Sequence, residues 1–123
     1  MIKGLRLSSI WSADLNNLLP FYRDVLGLKV GMESPGFVIL GDPSGPTIAL
    51  GTHSEVRGEA PDPARHLVAF DTDDVQAEHA RLKSAGVEFV EEPNRQGEMW
   101  IATLKDPEGN LLQLFQFAEQ DRA

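Results

Sequence analysis

The fold of this chain follows from an internal repeat. It is clearest in two stretches, GDPSGPTIAL at residues 41–50 and KDPEGNLLQL at residues 105–114. In both stretches an Asp-Pro-x-Gly sequence provides tight-turn chemistry, because proline presets one backbone angle and glycine tolerates the exit from the turn. An apolar run follows each turn and predicts a strand. The two halves of the chain therefore end in the same turn and strand.

The repeat extends back to the start of each half. LSSIWSADL at residues 7–15 aligns with LVAFDTDDV at residues 67–75, and in both a strand-like run reaches an acidic residue seven positions after a leucine. A helical pattern then continues to a glycine, Gly27 or Gly86. Further strands are predicted at 29–33, 37–40, 47–50, 87–91, 100–104 and 111–117. Each half reads strand, helix, strand, strand, strand, which predicts an α+β fold of two βαβββ modules.

Both predicted helices have recognisable ends. Asp14 is a predicted N-cap of the first helix, and Pro20 should then bend the helix because proline removes one backbone hydrogen bond. If Asn16 or Asn17 is the cap instead, Pro20 falls near the first turn and costs less. The second helix is predicted to run to Ala85 from Asp73 or Asp74. The first helix has its apolar residues at the spacing of one buried face, namely Leu15, Leu18, Leu19, Tyr22, Val25 and Leu26.

The length of the chain fits one domain built from two half-domains. Residues 1–53 form the first predicted module and residues 65–117 the second. The stretch 54–64, which contains Gly58, Pro61 and Pro63, has the composition of a linker. Residues 118–123 are predicted to be a frayed tail.

Composition argues against several partners and chemistries. With 11 basic and 19 acidic residues the net charge is −8, and no Lys/Arg stripe is present, so nucleic acid is a poor partner. The chain has no cysteine, which excludes disulfides and thiolate sites. No stretch approaches the roughly 20 apolar residues of a membrane span, and no signal-peptide core is present. We therefore expect a cytoplasmic protein that does not associate with membranes.

Two motifs resemble a known family. FYRDVLGL at residues 21–28 resembles the first-helix signature of the vicinal oxygen chelate superfamily, which includes glyoxalase I, bleomycin-resistance proteins and extradiol dioxygenases. DPEGN at residues 106–110, followed by LLQL, resembles its final hairpin. The resemblance covers about Gly4 to Phe117 and implies two modules whose mixed sheets curl around a shared cleft, usually in a homodimer. The superfamily also contains epimerases, fosfomycin-modifying enzymes and proteins that sequester bleomycin or mitomycin, so the fold alone does not fix the function.

The resemblance also implies where a metal would be held. Metalloenzymes of this superfamily place His, Glu or Gln at equivalent points of the two modules, and on this chain those positions are Leu7, Ala49, Leu67 and Gln113. Leucine and alanine have no lone pair to donate, so Gln113 alone offers an oxygen. A catalytic divalent site needs about three protein ligands. We therefore expect no metal and no other cofactor.

Two histidines are the candidates for a catalytic base. His66 is offset by one residue from the ligand position at Leu67, and successive strand residues point to opposite faces. It is therefore expected to turn away from the cleft as a half-buried strand histidine, unless a β-bulge reverses it. His53 follows the fourth strand near one mouth of the cleft, where it is either a base or a solvated loop residue.

The residues expected to line the cleft are mainly apolar or aromatic, with Ser9 and Gln113 as polar groups. Strand alternation turns most of them to the same side. Spacing does not fix the facing of Phe37 and Trp100, and Trp11 is either the main ligand contact or a core side chain. The predicted ligand-binding residues are Leu7, Ser9, Trp11, Phe37, Ala49, Leu67, Ala69, Trp100, Gln113 and Phe115.

An apolar cleft with few polar groups favours metal-free binding of a hydrophobic or aromatic small molecule, such as a sequestered antibiotic. The alternative is an enzyme of the same superfamily, a lyase, isomerase or dioxygenase, with a non-standard or absent metal site. His53 or His66 would then supply the base. A structural dimer whose cleft is filled by its own side chains is a third interpretation.

Overall fold

Each half of the chain folds into a four-stranded mixed sheet, in a computed structural model that describes Met1, Lys3 and residues 5–117. The first half is a compact unit comprising Met1–Gly58, and the second begins at Glu59, within the stretch 54–64. The tail expected at residues 118–123 lies outside the described residues. In the part of the chain that is described, no helix has both the length and the apolar character needed to cross a membrane.

The first sheet is built from β1 (Leu7–Ser12), β2 (Val30–Ser34), β3 (Phe37–Leu40) and β4 (Thr47–Thr52). Its strand order is β1-β4-β3-β2, with β1 parallel to β4 and the other neighbours antiparallel. In the turn between β3 and β4, Asp42 accepts hydrogen bonds from the backbone N–H and the hydroxyl of Ser44, at 2.9 and 2.8 Å. Gly31 marks a bulge in β2, since Val30 and Met32 pair with adjacent residues of β3.

The second sheet has the same topology. Its strands are β5 (Val68–Asp71), β6 (Phe89–Gln96), β7 (Met99–Lys105) and β8 (Leu111–Phe117). The strand order is β5-β8-β7-β6, with β5 parallel to β8 and the other neighbours antiparallel. The matching order of the two sheets confirms the internal repeat and the α+β fold of two βαβββ-like modules predicted from the sequence.

The second unit contains a regular α-helix, α1 (Val75–Ser84). Of the two N-caps that the sequence left open, Asp74 is the one used, since its side chain accepts the backbone N–H of Ala77 at 3.0 Å. After the helix, Gly86 takes a φ of 93°, a left-handed conformation that suits glycine. The helix packs on β6, β7 and β8 and buries Leu82.

The first predicted helix is not continuous, and in this respect the sequence prediction is wrong. The chain forms a 3₁₀ turn over Leu15–Asn17 and a π-helical turn over Phe21–Val25, with Pro20 between them. Proline has no backbone N–H, so a regular α-helical ladder cannot run through this position. The N-cap is as predicted, because Asp14 accepts the backbone N–H of Asn16 at 3.0 Å.

One face of each sheet is turned toward the helical segments of its own unit. In the first unit, the backbone N–H of Leu15 donates to the hydroxyl of Thr52 at 2.9 Å, which identifies the helix side of that sheet. In the second unit, the side-chain oxygen of Gln116 accepts the backbone N–H of Val75 at 2.8 Å and identifies the α1 side. The buried core of the first unit includes Leu15, Leu18, Tyr22, Val38, Leu40, Ile48 and Leu50.

Candidate functional site

The first sheet presents an uncharged face on the side away from its helical segments. Residues that pair in register point to the same side of a sheet, so the pairings of Trp11 with Gly51 and of Gly51 with Phe37 place these three together. We call this side the Trp11 face. None of its ten residues is ionisable, although charged residues make up 24% of the chain. They are Leu7, Ser9, Trp11, Met32, Ser34, Phe37, Ile39, Thr47, Ala49 and Gly51.

The ring of Trp11 is held in one orientation by its neighbours. It stacks on Phe37, with ring centroids 6.0 Å apart and planes at 30°, and it meets the ring of His53 edge to face at 5.7 Å. The indole N–H donates to the hydroxyl of Ser9 at 3.1 Å. A methyl group on Gly51 would stand 2.8 Å from Cε3 of the indole and closer still to Cζ3, so the ring lies directly over this glycine. Trp11 remains 39% exposed, which argues against the core interpretation.

The Trp11 face brings together several of the residues expected from the sequence. The sequence spacing did not determine which way Phe37 points. In the structure it points to the same side of the sheet as Trp11. Gly51 and Ile39 are on this face and were not predicted. Gly51 was missed because the predicted strand ended at residue 50, whereas β4 continues to Thr52; Ile39 needed the register of β3. The expected residues on this face are Leu7, Ser9, Trp11, Phe37 and Ala49.

His53 lies just beyond β4, beside Trp11. Its backbone N–H donates to the carbonyl of Ser12 at 2.8 Å, which anchors the position. Its Nδ1 accepts the backbone N–H of Glu55 at 3.1 Å. A ring nitrogen that accepts carries no proton, so in the neutral imidazole the proton is on Nε2. His53 is therefore arranged to donate a hydrogen bond from Nε2, while Nδ1 is already engaged.

His66 and Leu67 lie outside β5. The strand begins at Val68, and His66 instead ends the 3₁₀ turn Pro63–Arg65. His66 is exposed, so the expectation of a half-buried strand histidine is wrong: the proline-led turn delays the start of the strand by two residues. Leu67 is also exposed, and because it precedes the strand, sheet register does not fix its facing. The four pairs between β5 and β8 run without a bulge.

The second sheet has a different kind of face on the side away from α1, which we call the Gln113 face. Gln113 pairs in register with Ala69 on β5 and with Thr103 on β7, and Phe115 lies two residues further along β8. Thr103 was not predicted, and its hydroxyl donates to Oε1 of Glu91 at 3.3 Å. A carboxylate and a hydroxyl make this face more polar than expected from the sequence.

Trp100 lies on the opposite side of the second sheet from Gln113. It pairs in register with Gln116, whose side chain accepts the backbone N–H of Val75 at the start of α1. The helix side of the sheet therefore holds Trp100, which corrects its grouping with Gln113 among the ligand-binding residues. The cause is the hairpin register, which sets the odd-numbered residues of β7 on the same side as Gln113.

The side chains present do not fit the metal site that the superfamily resemblance implies. Leu7 and Ala49 share the Trp11 face without a nitrogen or oxygen donor, and Gln113 offers one neutral amide oxygen. Across Met1, Lys3 and residues 5–117, no three or more His, Cys, Asp or Glu side chains are grouped so that they could hold a metal ion. A divalent site of the kind used in catalysis takes about three protein ligands.

Comparison with known proteins identifies the family. A sequence model of the Glyoxalase/Bleomycin resistance protein/Dioxygenase superfamily matches residues 6–114. The uncharacterized protein YurT of Bacillus subtilis (strain 168) is 47% identical over 47 residues, which are 38% of this chain and 37% of YurT. Among solved structures, a glyoxalase/bleomycin resistance protein/dioxygenase from Nocardioides superposes with a TM-score of 0.77 at 20% identity, covering 97% of this chain and 86% of that one. TnmS3, an antibiotic-binding protein from Streptomyces sp. CB03234, gives a TM-score of 0.73 at 26% identity, covering 94% and 97% of the two chains.

The family match spans both sheets and both Asp-Pro turns, and the fold agrees with that of the solved structures. The chain belongs to the Glyoxalase/Bleomycin resistance protein/Dioxygenase superfamily.

Proposed function

We propose that the protein binds a hydrophobic or aromatic small molecule on the Trp11 face, without a metal ion. The observation that carries this proposal is a 39% exposed tryptophan on a sheet face that has no ionisable side chain. Ligand sites of this kind are mostly apolar, with a few polar groups that orient the ligand. Ser9 and His53 are the polar groups beside Trp11.

The energetics favour a flat ligand that covers the indole. Removing on the order of 100 Å² of apolar surface from water at about 25 cal/mol per Å² contributes roughly 2.5 kcal/mol before the costs of association. Phe37, Gly51 and Ser9 already fix the ring, so little side-chain freedom is lost when a ligand binds. Aromatic pairs also contribute about 0.5–1.5 kcal/mol beyond the area that they bury.

The likeness to TnmS3 supports a ligand of antibiotic type. That protein binds an antibiotic, and it matches 94% of this chain at 26% identity. The donor set described above supports binding without a metal, because the side chains at the implied metal positions cannot coordinate one.

A metal-free enzyme is the second candidate. It is favoured by the position of His53, whose ring centroid lies 5.7 Å from that of Trp11. A ligand over the indole would lie beside an imidazole that can donate a proton. The variant His53→Ala distinguishes the two functions: a binding protein leaves its ligand chemically unchanged in both forms, whereas an enzyme converts it and loses turnover in the variant.

The homodimer implied by the family resemblance is a separate proposal. Sedimentation equilibrium tests it directly, since a dimer has twice the mass of the chain and a monomer does not.

The binding proposal is tested with Prodan, an uncharged naphthyl ketone whose emission shifts when it leaves water. We expect Trp11→Phe to weaken Prodan binding by about 10-fold, which corresponds to about 1.4 kcal/mol of lost contact. Trp100→Phe is the matched control, because Trp100 lies on the α1 side of the second sheet and its loss should leave the affinity unchanged. Unchanged affinity in Trp11→Phe, or loss confined to Trp100→Phe, would overturn the proposal.

A further inference from the structure

We infer that the ligand of the Trp11 face is a flat aromatic molecule that presents a hydrogen-bond acceptor, such as an aryl carbonyl, to Ser9 and His53. The inference rests on the proposed function and adds that the ligand accepts hydrogen bonds here rather than donating them. It follows from which donors and acceptors around Trp11 already have hydrogen-bond partners.

Ser9 has a proton to donate. Its hydroxyl oxygen accepts the indole N–H of Trp11 at 3.1 Å. A serine hydroxyl has one O–H and two acceptor lone pairs, and the indole N–H occupies one of those lone pairs. Among the described residues, the Ser9 hydroxyl makes no other hydrogen bond, so its proton can be given to a molecule that covers Trp11.

His53 also presents a donor. Its Nδ1 accepts the backbone N–H of Glu55 at 3.1 Å, which leaves the proton of the neutral ring on Nε2. The ring meets Trp11 edge to face with centroids 5.7 Å apart, so the imidazole borders any ligand that lies over the indole. Ser9 and His53 therefore both offer a hydrogen-bond donor beside Trp11.

Apart from Ser9, the described acceptors on this part of the sheet already accept a hydrogen bond or lie elsewhere. The carbonyl of Gly36, close to Gly51, accepts the backbone N–H of Thr52 at 3.0 Å. The Trp11 face carries no carboxylate, and its two other hydroxyls are distant in the sheet: Ser34 is on β2 at the far edge, and Thr47 begins β4. A ligand N–H or O–H buried here would meet at most the remaining lone pair of Ser9, whereas a ligand acceptor would meet two donors, so donor-bearing ligands are disfavoured.

Three flat tricyclic probes of nearly equal size test the inference. Fluorene has no polar atom, 9-fluorenone adds a carbonyl acceptor, and carbazole adds an N–H donor. Their affinities are read from displacement of Prodan. We expect 9-fluorenone to bind about 5- to 10-fold more tightly than fluorene, as one good hydrogen bond allows, and carbazole to bind no more tightly than fluorene.

Variants connect this preference to the two donors. Ser9→Ala and His53→Phe should each lower the ratio of 9-fluorenone to fluorene affinity, to about twofold or less. Ser8→Ala is the matched control: Ser8 neighbours Ser9 on β1 but points to the opposite side of the sheet, so the ratio should be unchanged.

The outcomes separate this inference from the proposed function. Carbazole that binds as tightly as 9-fluorenone, or a 9-fluorenone preference that survives both variants, overturns the inference. The binding proposal still stands in that case if affinity falls in Trp11→Phe. If neither Prodan nor any of the three probes binds, the proposed function fails, and the inference fails with it.

Discussion

Gly51 is the residue on which the position of the Trp11 ring depends. A methyl group at this position would lie 2.8 Å from Cε3 of the indole, inside normal carbon–carbon contact, and 3.2 Å from the carbonyl of Gly36. The strand cannot retreat from the ring without breaking its pairs with β1 and β3. The ring must therefore leave its place between Phe37 and His53 when Gly51 gains a side chain.

We predict that Gly51→Ala weakens Prodan binding by about 10-fold and lowers the free energy of unfolding by about 1–3 kcal/mol, the usual cost of overpacking. Fluorescence titration and urea denaturation measure the two effects. Gly45→Ala is the control, because a methyl group there meets only open space and the backbone needs no positive φ. Equal Prodan affinity in Gly51→Ala and the wild type would show that the ring position does not matter for binding.

At the level of elements, the two Asp-Pro turns are equal in sequence pattern and unequal in structure. Asp106 is buried, and its carboxylate accepts the backbone N–H groups of Glu108 and Asn110 and the side-chain amide of Asn110, at 2.8, 2.9 and 2.7 Å. Asp42 is exposed, and hydrogen bonds from the backbone and hydroxyl of Ser44 hold the pKa of its carboxyl below the usual value. Both carboxylates hold their turns, but the second turn depends more on its carboxylate, which is buried and accepts three hydrogen bonds.

This difference predicts unequal costs of substitution. Asp106→Ala should lower the free energy of unfolding by about 2–4 kcal/mol, because it removes a buried acceptor and leaves three part-buried N–H donors without it. Asp42→Ala should lower the free energy of unfolding clearly less, since water can replace the lost carboxylate. Urea denaturation measures the difference, provided that both variants have the same m-value. A loss in Asp42→Ala as large as that in Asp106→Ala would contradict the role assigned to burial.

The repeat made the strands predictable, because each half carries the same turn followed by the same kind of strand. What failed was local geometry set by proline: Pro20 interrupts the first helix, and the turn led by Pro63 moves the start of β5 beyond His66. The sequence predicts which side chains of one strand share a side of the sheet. It does not predict which side they share with the side chains of a neighbouring strand. Trp100 shows this, since its side is set by the β7–β8 hairpin register and not by its own spacing.

At the scale of the whole molecule, an acidic chain carries one sheet face without charge. The chain carries a net charge of −8, while the Trp11 face contains no ionisable residue. An acidic surface repels anions over about 10 Å at moderate ionic strength, so a neutral acceptor such as a carbonyl suits this protein better than a carboxylate. Alternation could predict which residues of β1 and β4 share the Trp11 face, such as Leu7, Ser9, Trp11 and Ala49. The sequence could not predict which groups around Trp11 donate hydrogen bonds, because this depends on contacts such as that of His53 with Glu55.

The family resemblance makes metal dependence the property that most needs a test on the intact protein. A ligand that binds the folded state alone raises its stability by RT ln(1 + [L]/Kd), so the unfolding midpoint changes when a bound metal ion is removed or added.

Because Leu7, Ala49 and Leu67 occupy the implied metal positions, we predict that dialysis against EDTA changes neither the unfolding midpoint nor the Prodan affinity, and that added Zn²⁺ or Mn²⁺ does not raise the midpoint. Prodan itself is the positive control, since it should raise the midpoint in the same assay. Elemental analysis of the purified protein completes the test: about one tightly held ion per chain, with a midpoint that falls in EDTA, would require donors other than the side chains at those positions and would end the metal-free interpretation.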